Sequence, residues 1–232
     1  MESGQIKKNT EEVRRRLDEA VRLSGRPAGS VCLLAATKTR TPEEIRACIA
    51  AGIDACGENR AQELLEKLPL GAYAGKPVHF IGSFQTNKAH LIVGKVDMVE
   101  SVGSLKAGAA LGRLSAEKGI VTDILAEINI GCEAEKAGVV PDKAAAFCEF
   151  LADTKGVRLR GIMAIPPAGE DGTPYFVRMR ELFETLGKNL PSHFDTLSMG
   201  MSGDFEKAVR EGATIVRVGT AIFGERNYGT KK

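Results

Sequence analysis

The sequence predicts an α/β fold, a single (β/α)8 (TIM) barrel preceded by an N-terminal helix. Eight short apolar segments alternate with helical segments along the 232 residues, and such a barrel typically takes roughly 250 residues. The eight segments lack strict polar–apolar alternation, as expected for parallel strands that are covered on both faces. An open doubly wound sheet is the alternative, but it needs a glycine fingerprint after its first strand, and residues 37–41 contain no glycine.

Each predicted element follows from a local pattern. Apolar residues recur at helical spacing between Ile6 and Val21, which predicts an amphipathic helix within residues 1–30. Thr41, Pro42 and Glu44 form the pattern of a capping box, which begins a helix after the first strand. The predicted strands are 31–37, 53–57, 78–82, 98–101, 124–130, 159–165, 196–200 and 215–219. The other predicted helices are 59–67, 105–118, 141–154, 174–190 and 204–211. No low-complexity linker divides the chain, so we expect one domain, residues 1–232, with the barrel at residues 31–228.

Composition and charge exclude several classes of protein. Apolar residues make up 43% of the chain, charged residues 27%, and the formal net charge is +2. No basic stripe with interleaved aromatics is present, which argues against a nucleic-acid partner. The chain has neither a secretory signal nor an apolar run of bilayer length, so we expect a cytoplasmic protein without a membrane partner. Five cysteines without a CxxC pair indicate reduced thiols. No histidine pair has ligand spacing, so we expect no metal.

Polar residues gather where the predicted strands end. In this kind of barrel the carboxyl ends of all the strands share one face, and functional residues collect there. Lys38 follows the first strand, and Glu58 and Asn59 follow the second. The later strands lead to Gln85, Asn87, Lys88, Glu100, Ser101, Asn129, Met163, Ala164, Pro166, Pro167, Ser202, Gly219 and Thr220. We therefore expect a ligand site at this face.

Glycine-bearing segments near the end of the chain predict a phosphate site. Ser202 lies between Gly200 and Gly203, where we expect it to cap the helix that follows. Backbone N–H groups at a helix start bind anions, and glycines let a ligand approach the backbone closely. Gly219 and Thr220 offer a second set of donors, and phosphate sites after strands seven and eight recur in this fold.

Closure of the barrel would bring Lys38 opposite this phosphate site, because strand one then lies beside strand eight. A desolvated lysine amine loses its proton and attacks a carbonyl to form a Schiff base. An amine that faces a phosphate site suits a phosphorylated aldehyde, and pyridoxal 5′-phosphate is the obvious candidate. Arg217 lies on the same side of strand eight as Gly219. It therefore either reaches a ligand at the barrel mouth or is a buried ion-pair partner.

Several stretches together carry a resemblance to a known family. They are Ala36-Thr37-Lys38-Thr39, Gly57-Glu58-Asn59, Gln62-Glu63, His79-Phe80-Ile81-Gly82, residues 160–166, residues 197–202 and residues 216–224, with Gln85, Asn87 and Lys88. With these stretches the chain resembles the pyridoxal phosphate homeostasis protein family, relatives of the barrel domain of alanine racemase. The resemblance spans residues 31–228. The chain departs from the usual family residues at Arg60-Ala61, Ser83-Phe84 and Ala137, away from the lysine and the phosphate signature.

The resemblance implies a cofactor and a set of contacts. It implies that Lys38 holds pyridoxal 5′-phosphate as an internal aldimine. It places Ser202, Gly219 and Thr220 at the phosphate. It further implies Asn59 near the ring and Arg217 towards the pyridine nitrogen.

The remaining choice is between a carrier and an enzyme. A two-base racemase needs proton-transfer groups on opposite faces of the substrate carbon, and we expect no counterpart of the second domain of alanine racemases within the 232 residues. We expect His79 and His193 at the opposite face of the barrel, and Tyr175 is the one aromatic acid on a loop at the functional face, where packing or anchoring is the expected role. A cation such as Arg217 at the pyridine nitrogen disfavours ring protonation, which makes the cofactor a poorer electron sink.

We therefore expect a non-catalytic, monomeric carrier and buffer of pyridoxal phosphate that passes the cofactor to apo-enzymes. A cofactor-dependent amino-acid racemase or related enzyme is the alternative. A third interpretation is a barrel for another phosphorylated metabolite, with Lys38 as a point-charge contact.

Overall fold

The computed structural model describes residues 2–225 and contains eight parallel strands that close into a barrel in chain order. The strands are β1 (Cys32–Ala36), β2 (Ala55–Glu58), β3 (Val78–Phe80), β4 (Met98–Val102), β5 (Thr122–Ile128), β6 (Val157–Ala164), β7 (Thr196–Ser198) and β8 (Ile215–Val218). β1 pairs with both β2 and β8, and Leu34 is opposite Arg217 in the second pairing. The predicted barrel is confirmed, and its first and last strands are neighbours.

Helices surround the barrel. They are α1 (Ser3–Leu23), α2 (Pro42–Ala50), α3 (Ala61–Lys67), α4 (Ala89–Ile92), α5 (Leu105–Glu117), α6 (Ala144–Asp153), α7 (Thr173–Gly187), α8 (Phe205–Arg210) and α9 (Thr220–Phe223). Short 3-10 segments occupy Leu68–Leu70, Thr86–Lys88 and Pro141–Lys143. The capping box of α2 is present as predicted, with Thr41 Oγ1 accepting from the Glu44 N–H at 3.3 Å and Glu44 Oε2 accepting from the Thr41 N–H at 3.0 Å. α1 buries its apolar stripe against α2, α8 and α9.

The structure differs from the predicted elements mainly at their ends. β5 and β6 each begin two residues before their predicted starts, because Asp123 and Arg158 are polar yet pair across the sheet, with Arg158 Nε 2.6 Å from Asp123 Oδ1. β7 ends before Gly200, where a φ of 89° turns the chain. The one-turn helices α4 and α9 were not predicted as separate elements, because four residues are too few to show a helical period.

Two apolar layers form the core, and a polar layer lies above the inner one. The outward faces of the strands pack against the helices in one large cluster. Inside the barrel, a smaller cluster consists of Leu34, Ala55, Met98, Leu125, Met163 and Ile215. Two residues further along β4, β5 and β8, the same faces carry Glu100, Glu127 and Arg217. The lumen therefore changes from apolar to charged towards the carboxyl ends of the strands.

Two sequence expectations concern the chain as a whole. Within residues 2–225, no helix combines the length and apolar character that a membrane crossing requires. Residues 226–228, the predicted end of the barrel, lie outside the described residues. The assignment of residues 1–232 to one domain stays a prediction.

Candidate functional site

Lys38 lies two residues after the end of β1, in a tight turn formed by residues 37–40. The Arg40 N–H donates to the Thr37 carbonyl at 3.1 Å, and Thr39 has a φ of 64°. Lys38 is half-buried and lines a narrow cleft. The other residues of this cleft are Ala36, Arg40, Gly219, Thr220 and Phe223. The structure thus brings together three of the predicted site residues, Lys38, Gly219 and Thr220, because β1 pairs with β8.

The turn that carries Lys38 is held by a buried polar cluster. Lys67, at the end of α3, donates from Nζ to the Thr37 carbonyl at 2.9 Å, to Glu58 Oε1 at 2.8 Å and to Glu63 Oε2 at 3.3 Å. Glu63 Oε2 also accepts from the Thr39 N–H at 2.6 Å. We call Glu58, Glu63 and Lys67 the turn clamp. It fixes the peptide groups on both sides of Lys38.

Sequence reasoning missed the turn clamp. Glu58 was expected at the rim, but it is fully buried on the outer face of β2, where Tyr73 and Thr37 also donate to its Oε1. Lys67 reads from the sequence as an ordinary lysine at a helix C-terminus, where a cation is favourable. The i, i+4 spacing of Glu63 and Lys67 was the available signal, and it predicts an ion pair on one face of α3.

A hydrogen-bonded oxygen marks the predicted phosphate site. Ser202 Oγ accepts from the Gly219 N–H at 3.1 Å and from the Ala221 N–H at 3.2 Å. These two backbone donors belong to the turn that begins α9, and both are directed at one oxygen atom. Convergent backbone N–H groups are the arrangement that proteins use for the oxygens of an anion.

The predicted capping role of Ser202 is wrong. Asp204 is at the N-cap position of α8, and its Oδ1 accepts from the Met201 N–H at 2.6 Å. Gly200 causes the change of direction, since its φ is 89° and a Cβ there would lie 2.5 Å from Ala208 Cβ. The turn between Gly200 and Asp204 directs the Ser202 hydroxyl towards β8 and α9 instead of α8.

Arg217 faces the lumen, and it is also a buried ion-pair partner. Its Nη1 donates to Ser198 Oγ and lies 3.8 Å from Glu100 Oε2, and its Nη2 donates to the Ala164 carbonyl at 2.9 Å. Ser198 Oγ donates to Glu100 Oε2 at 2.6 Å, and His79 Nδ1 lies 2.6 Å from Glu100 Oε1. We call Arg217, Glu100, Ser198 and His79 the lumen network. The expectation that His79 lies at the opposite face is wrong, because its side chain points inward from the middle of β3.

The lumen shifts the pKa values of its charged groups. Burial lowers the pKa of Arg217, and the carboxylates of Glu100 and Glu127 oppose this shift. Burial alone would raise the pKa of Glu100, but His79, Arg217 and Ser198 outweigh it, so that its pKa lies below the ordinary value. Burial raises the pKa of Glu127, and Arg217 only partly offsets the effect. The pKa values of the two lumen glutamates are therefore shifted in opposite directions.

Asn59, the predicted ring contact, follows β2 on the same face. It is half-buried, and its Oδ1 accepts no hydrogen bond from any residue between 2 and 225 although the atom is buried. It lines a cavity of about 300 Å³ together with Arg60 and Gln85, and it is not among the residues that line the Lys38 cleft. A buried amide oxygen is normally hydrogen-bonded, so this atom is a candidate ligand contact.

The remaining ionisable candidates are engaged elsewhere. Tyr175 donates from its hydroxyl to Glu170 Oε2 at 2.6 Å, a surface contact that agrees with an anchoring role. Burial raises the pKa of Cys32, Cys48 and Cys148 to about 12. Among residues 2–225, no group of three or more histidine, cysteine, aspartate or glutamate side chains is arranged to hold a metal ion.

Comparison with known proteins identifies close relatives of the chain. The family described as alanine racemase, N-terminal domain, matches residues 3–227. A protein of Aquifex aeolicus named pyridoxal phosphate homeostasis protein is 40% identical over 216 residues, 92% of this chain and 95% of the relative. A protein of Pseudomonas aeruginosa with the same name is 40% identical over 227 residues, 97% of each chain.

One solved structure adds a ligand to these names. The structure of PipY from Synechococcus elongatus with pyridoxal phosphate bound is similar with a TM-score of 0.78 at 32% identity. The match covers 91% of this chain and 100% of PipY.

Proposed function

The chain belongs to the alanine racemase N-terminal domain family, and we propose that it binds pyridoxal 5′-phosphate through Lys38 as a non-catalytic carrier. The observation that carries this proposal is the common cleft of Lys38, Gly219 and Thr220, next to the oxygen of Ser202 on which two backbone N–H groups converge. A primary amine beside an anion site is the donor set that a phosphorylated aldehyde needs. The relatives named pyridoxal phosphate homeostasis proteins and the ligand of PipY support the same cofactor.

The residues present fit this cofactor. When bound, pyridoxal phosphate would supply an aldehyde, and Lys38 would be the primary amine that holds it. The hydroxyl of Ser202 and the backbone of Gly219 and Thr220 would bind the phosphate. The unpaired amide oxygen of Asn59 supplies a polar contact for the ring.

Arg217 has the chemical character required beside a pyridine nitrogen that stays unprotonated. The guanidinium is held by the Ala164 carbonyl, by Ser198 and by Glu100, so its position in the lumen is fixed. A fixed cation beside the pyridine nitrogen disfavours protonation of that nitrogen. The unprotonated ring then has a weaker capacity to take up electrons from a substrate.

Three further observations favour a carrier over an enzyme. Within residues 2–225, His79 is held by Glu100 in the lumen and Tyr175 by Glu170 at the surface, so neither is positioned as a second proton-transfer group. The relatives are named homeostasis proteins. We propose that the protein acts as a cytoplasmic monomer, limits the free aldehyde and passes cofactor to apo-enzymes.

An absorbance titration with trapping tests the proposal. Purified protein mixed with pyridoxal phosphate is expected to develop a visible imine band, and borohydride is expected to bleach it and leave a pyridoxyl group on Lys38 in peptide mass mapping. Lys38→Ala abolishes the band, and the exposed-lysine variant Lys106→Met keeps it. Absence of an adduct on Lys38 in saturated wild-type protein would refute the proposal. Amino-acid racemisation by wild-type protein that Lys38→Ala loses would establish the enzyme instead.

A further inference from the structure

We propose that Lys67 and Glu63 are positioning residues for Lys38, although neither lies in the cofactor cleft. This inference rests on the proposed function, since Lys38 is the residue that they position. Lys67 binds the carbonyl on one side of Lys38, at Thr37, and Glu63 binds the N–H on the other side, at Thr39. The turn clamp therefore fixes the backbone that carries the reactive amine.

The turn needs such support because its backbone is strained. Thr39 has a φ of 64°, a conformation that a β-branched residue rarely adopts. Strain of this kind persists only where the surrounding structure fixes it. The 2.6 Å hydrogen bond from the Thr39 N–H to Glu63 Oε2 is the contact that does so. Without it, the turn can relax towards an ordinary φ, and Lys38 moves with it.

Lys67 has the chemistry of a clamp and not of a second nucleophile. Its ammonium group has three donors, and the three are used by the Thr37 carbonyl, Glu58 Oε1 and Glu63 Oε2 at 2.9, 2.8 and 3.3 Å. Lys67 is also absent from the residues that line the cleft of Lys38. The amine that faces this cleft is therefore that of Lys38.

A buried ion pair of this type contributes little net stability to a fold. Replacing such a pair with well-packed apolar residues is often neutral or stabilising. The Lys67–Glu58 pair has another effect, because Lys67 Nζ joins α3 to Glu58 at the end of β2 and to the Thr37 carbonyl after β1. Such a point connection is useful where a functional group must be placed accurately, because misplacement by about 1 Å can cost on the order of 100-fold in reactivity.

The turn clamp should affect the covalent bond between Lys38 and the cofactor and should leave binding of the phosphate group unchanged. Pyridoxine 5′-phosphate carries the same ring and phosphate as the cofactor but has an alcohol in place of the aldehyde. Disrupting the clamp should therefore weaken pyridoxal phosphate binding and leave pyridoxine phosphate binding unchanged. Ser202→Ala, which removes the hydroxyl at the anion site, should weaken both ligands.

The test compares Glu63→Ala, Glu63→Gln and Lys67→Met in full-length protein. Glu63→Ala and Lys67→Met are expected to weaken pyridoxal phosphate by about 10- to 100-fold, with pyridoxine phosphate within about twofold of wild type. Glu63→Gln keeps an acceptor for the Thr39 N–H and is expected to restore most of the affinity. Glu66→Gln, an exposed neighbour on α3, is the matched control and is expected to bind both ligands normally.

A second readout needs no cofactor. Competitive acetylation of the cofactor-free proteins across pH, followed by peptide mass mapping, reports the reactivity and pKa of Lys38 itself. A clamp role predicts that Glu63→Ala changes this profile and that Glu63→Gln and Glu66→Gln keep it. If Lys67→Met does not fold, Glu63→Ala still decides the question, because it leaves the Lys67–Glu58 pair in place.

The outcomes separate the two proposals. Unchanged Lys38 acetylation and unchanged pyridoxal phosphate affinity in folded Glu63→Ala would overturn the clamp inference while leaving the cofactor assignment intact. Equal losses for both ligands would also overturn it, since they indicate general loosening of the site. A wild-type protein without any Lys38 adduct would end the proposed function, and the acetylation profiles would then decide whether the clamp positions Lys38.

Discussion

The turn clamp and the lumen network bury similar charges in opposite parts of the barrel. Glu58 and Glu100 both have no exposed surface, and each lies beside a basic side chain, Lys67 outside the barrel and Arg217 inside it. Each cation also binds a backbone carbonyl near a strand end, at Thr37 and at Ala164. The two arrangements thus use the same physical device.

They differ in the separation of their members along the chain. The clamp joins residues 58, 63 and 67, and Glu63 and Lys67 are one helical turn apart. The lumen network joins residues 79, 100, 198 and 217, which come from β3, β4, β7 and β8. Closing long loops costs more conformational entropy than closing short ones. The clamp can therefore form as soon as α3 packs on β2, whereas the lumen network requires the closed barrel. A local network can thus control the geometry of one turn, whereas a dispersed network depends on the whole fold.

The largest expected effect comes from breaking the lumen network. Arg217→Met removes the guanidinium beside Glu100 and leaves that carboxylate with His79 and Ser198 as its partners. The loss of one partner of a buried pair costs about 3–5 kcal/mol of unfolding free energy. Denaturant unfolding of the cofactor-free protein measures this cost. The double variant Arg217→Met with Glu100→Leu should recover much of the stability, because the buried carboxylate of Glu100 is removed together with its cation. A double variant that is as unstable as the sum of its two single variants would contradict the pairing.

A smaller loss of stability is expected when one hydrogen bond to the turn clamp, from Tyr73 to Glu58, is removed. Glu58 Oε1 accepts from Thr37 at 2.7 Å, Lys67 at 2.8 Å and Tyr73 at 3.2 Å. Tyr73→Phe removes only the longest of these bonds, which should cost about 1 kcal/mol in the free energy of unfolding. Burial and Glu58 raise the pKa of Tyr73, so the phenol is a neutral donor at all physiological pH values.

Tyr73→Phe also tests whether the turn clamp positions Lys38 without the help of Tyr73. Because the hydroxyl of Tyr73 donates to Glu58 and not to the peptide groups beside Lys38, its removal should leave pyridoxal phosphate affinity unchanged. A tenfold loss of affinity in stable Tyr73→Phe protein would mean that the cluster cannot be divided into a clamp and a supporting contact. Tyr175→Phe, at the surface, serves as the matched control.

The fold was predictable because it depends on features that a sequence displays locally. Short apolar strands and the capping pattern at Thr41 can be read from neighbouring residues, and closure follows from the number of strands. Once the barrel closes, the proximity of Lys38 to Gly219 follows without any information about side chains. Elements of a single turn, such as α9, lack enough residues to reveal a period.

The parts of the site that were missed depend on side-chain direction. The orientation of the Ser202 hydroxyl is set by the φ of Gly200 and by the Asp204 side chain, neither of which has a periodic signature. His79 was predicted near the start of a strand and is the middle residue of β3. Successive side chains along a strand point to opposite faces, so a small error in position leaves the direction of the side chain undetermined. Lys67 looked like a surface lysine because burial of a charge depends on partners from two other segments.

The smallest expected effect comes from Glu127, whose pKa is shifted in the opposite direction from that of Glu100 in the same lumen. Burial raises the pKa of Glu127 above the ordinary 4.5, so the folded state favours the protonated form and the charge lowers stability once the pH exceeds 4.5. Glu127→Gln should therefore give a small increase in unfolding free energy at pH 7 that vanishes below pH 4.5. Glu100 has a lowered pKa, so its contribution is fully present above 4.5 and is lost as the pH falls through the folded value. Glu100→Gln should accordingly destabilise the protein at pH 7 and less in acid. Chemical unfolding of both variants between pH 3.5 and 7 measures the two slopes, and slopes of the same sign would contradict the opposite roles assigned to these side chains.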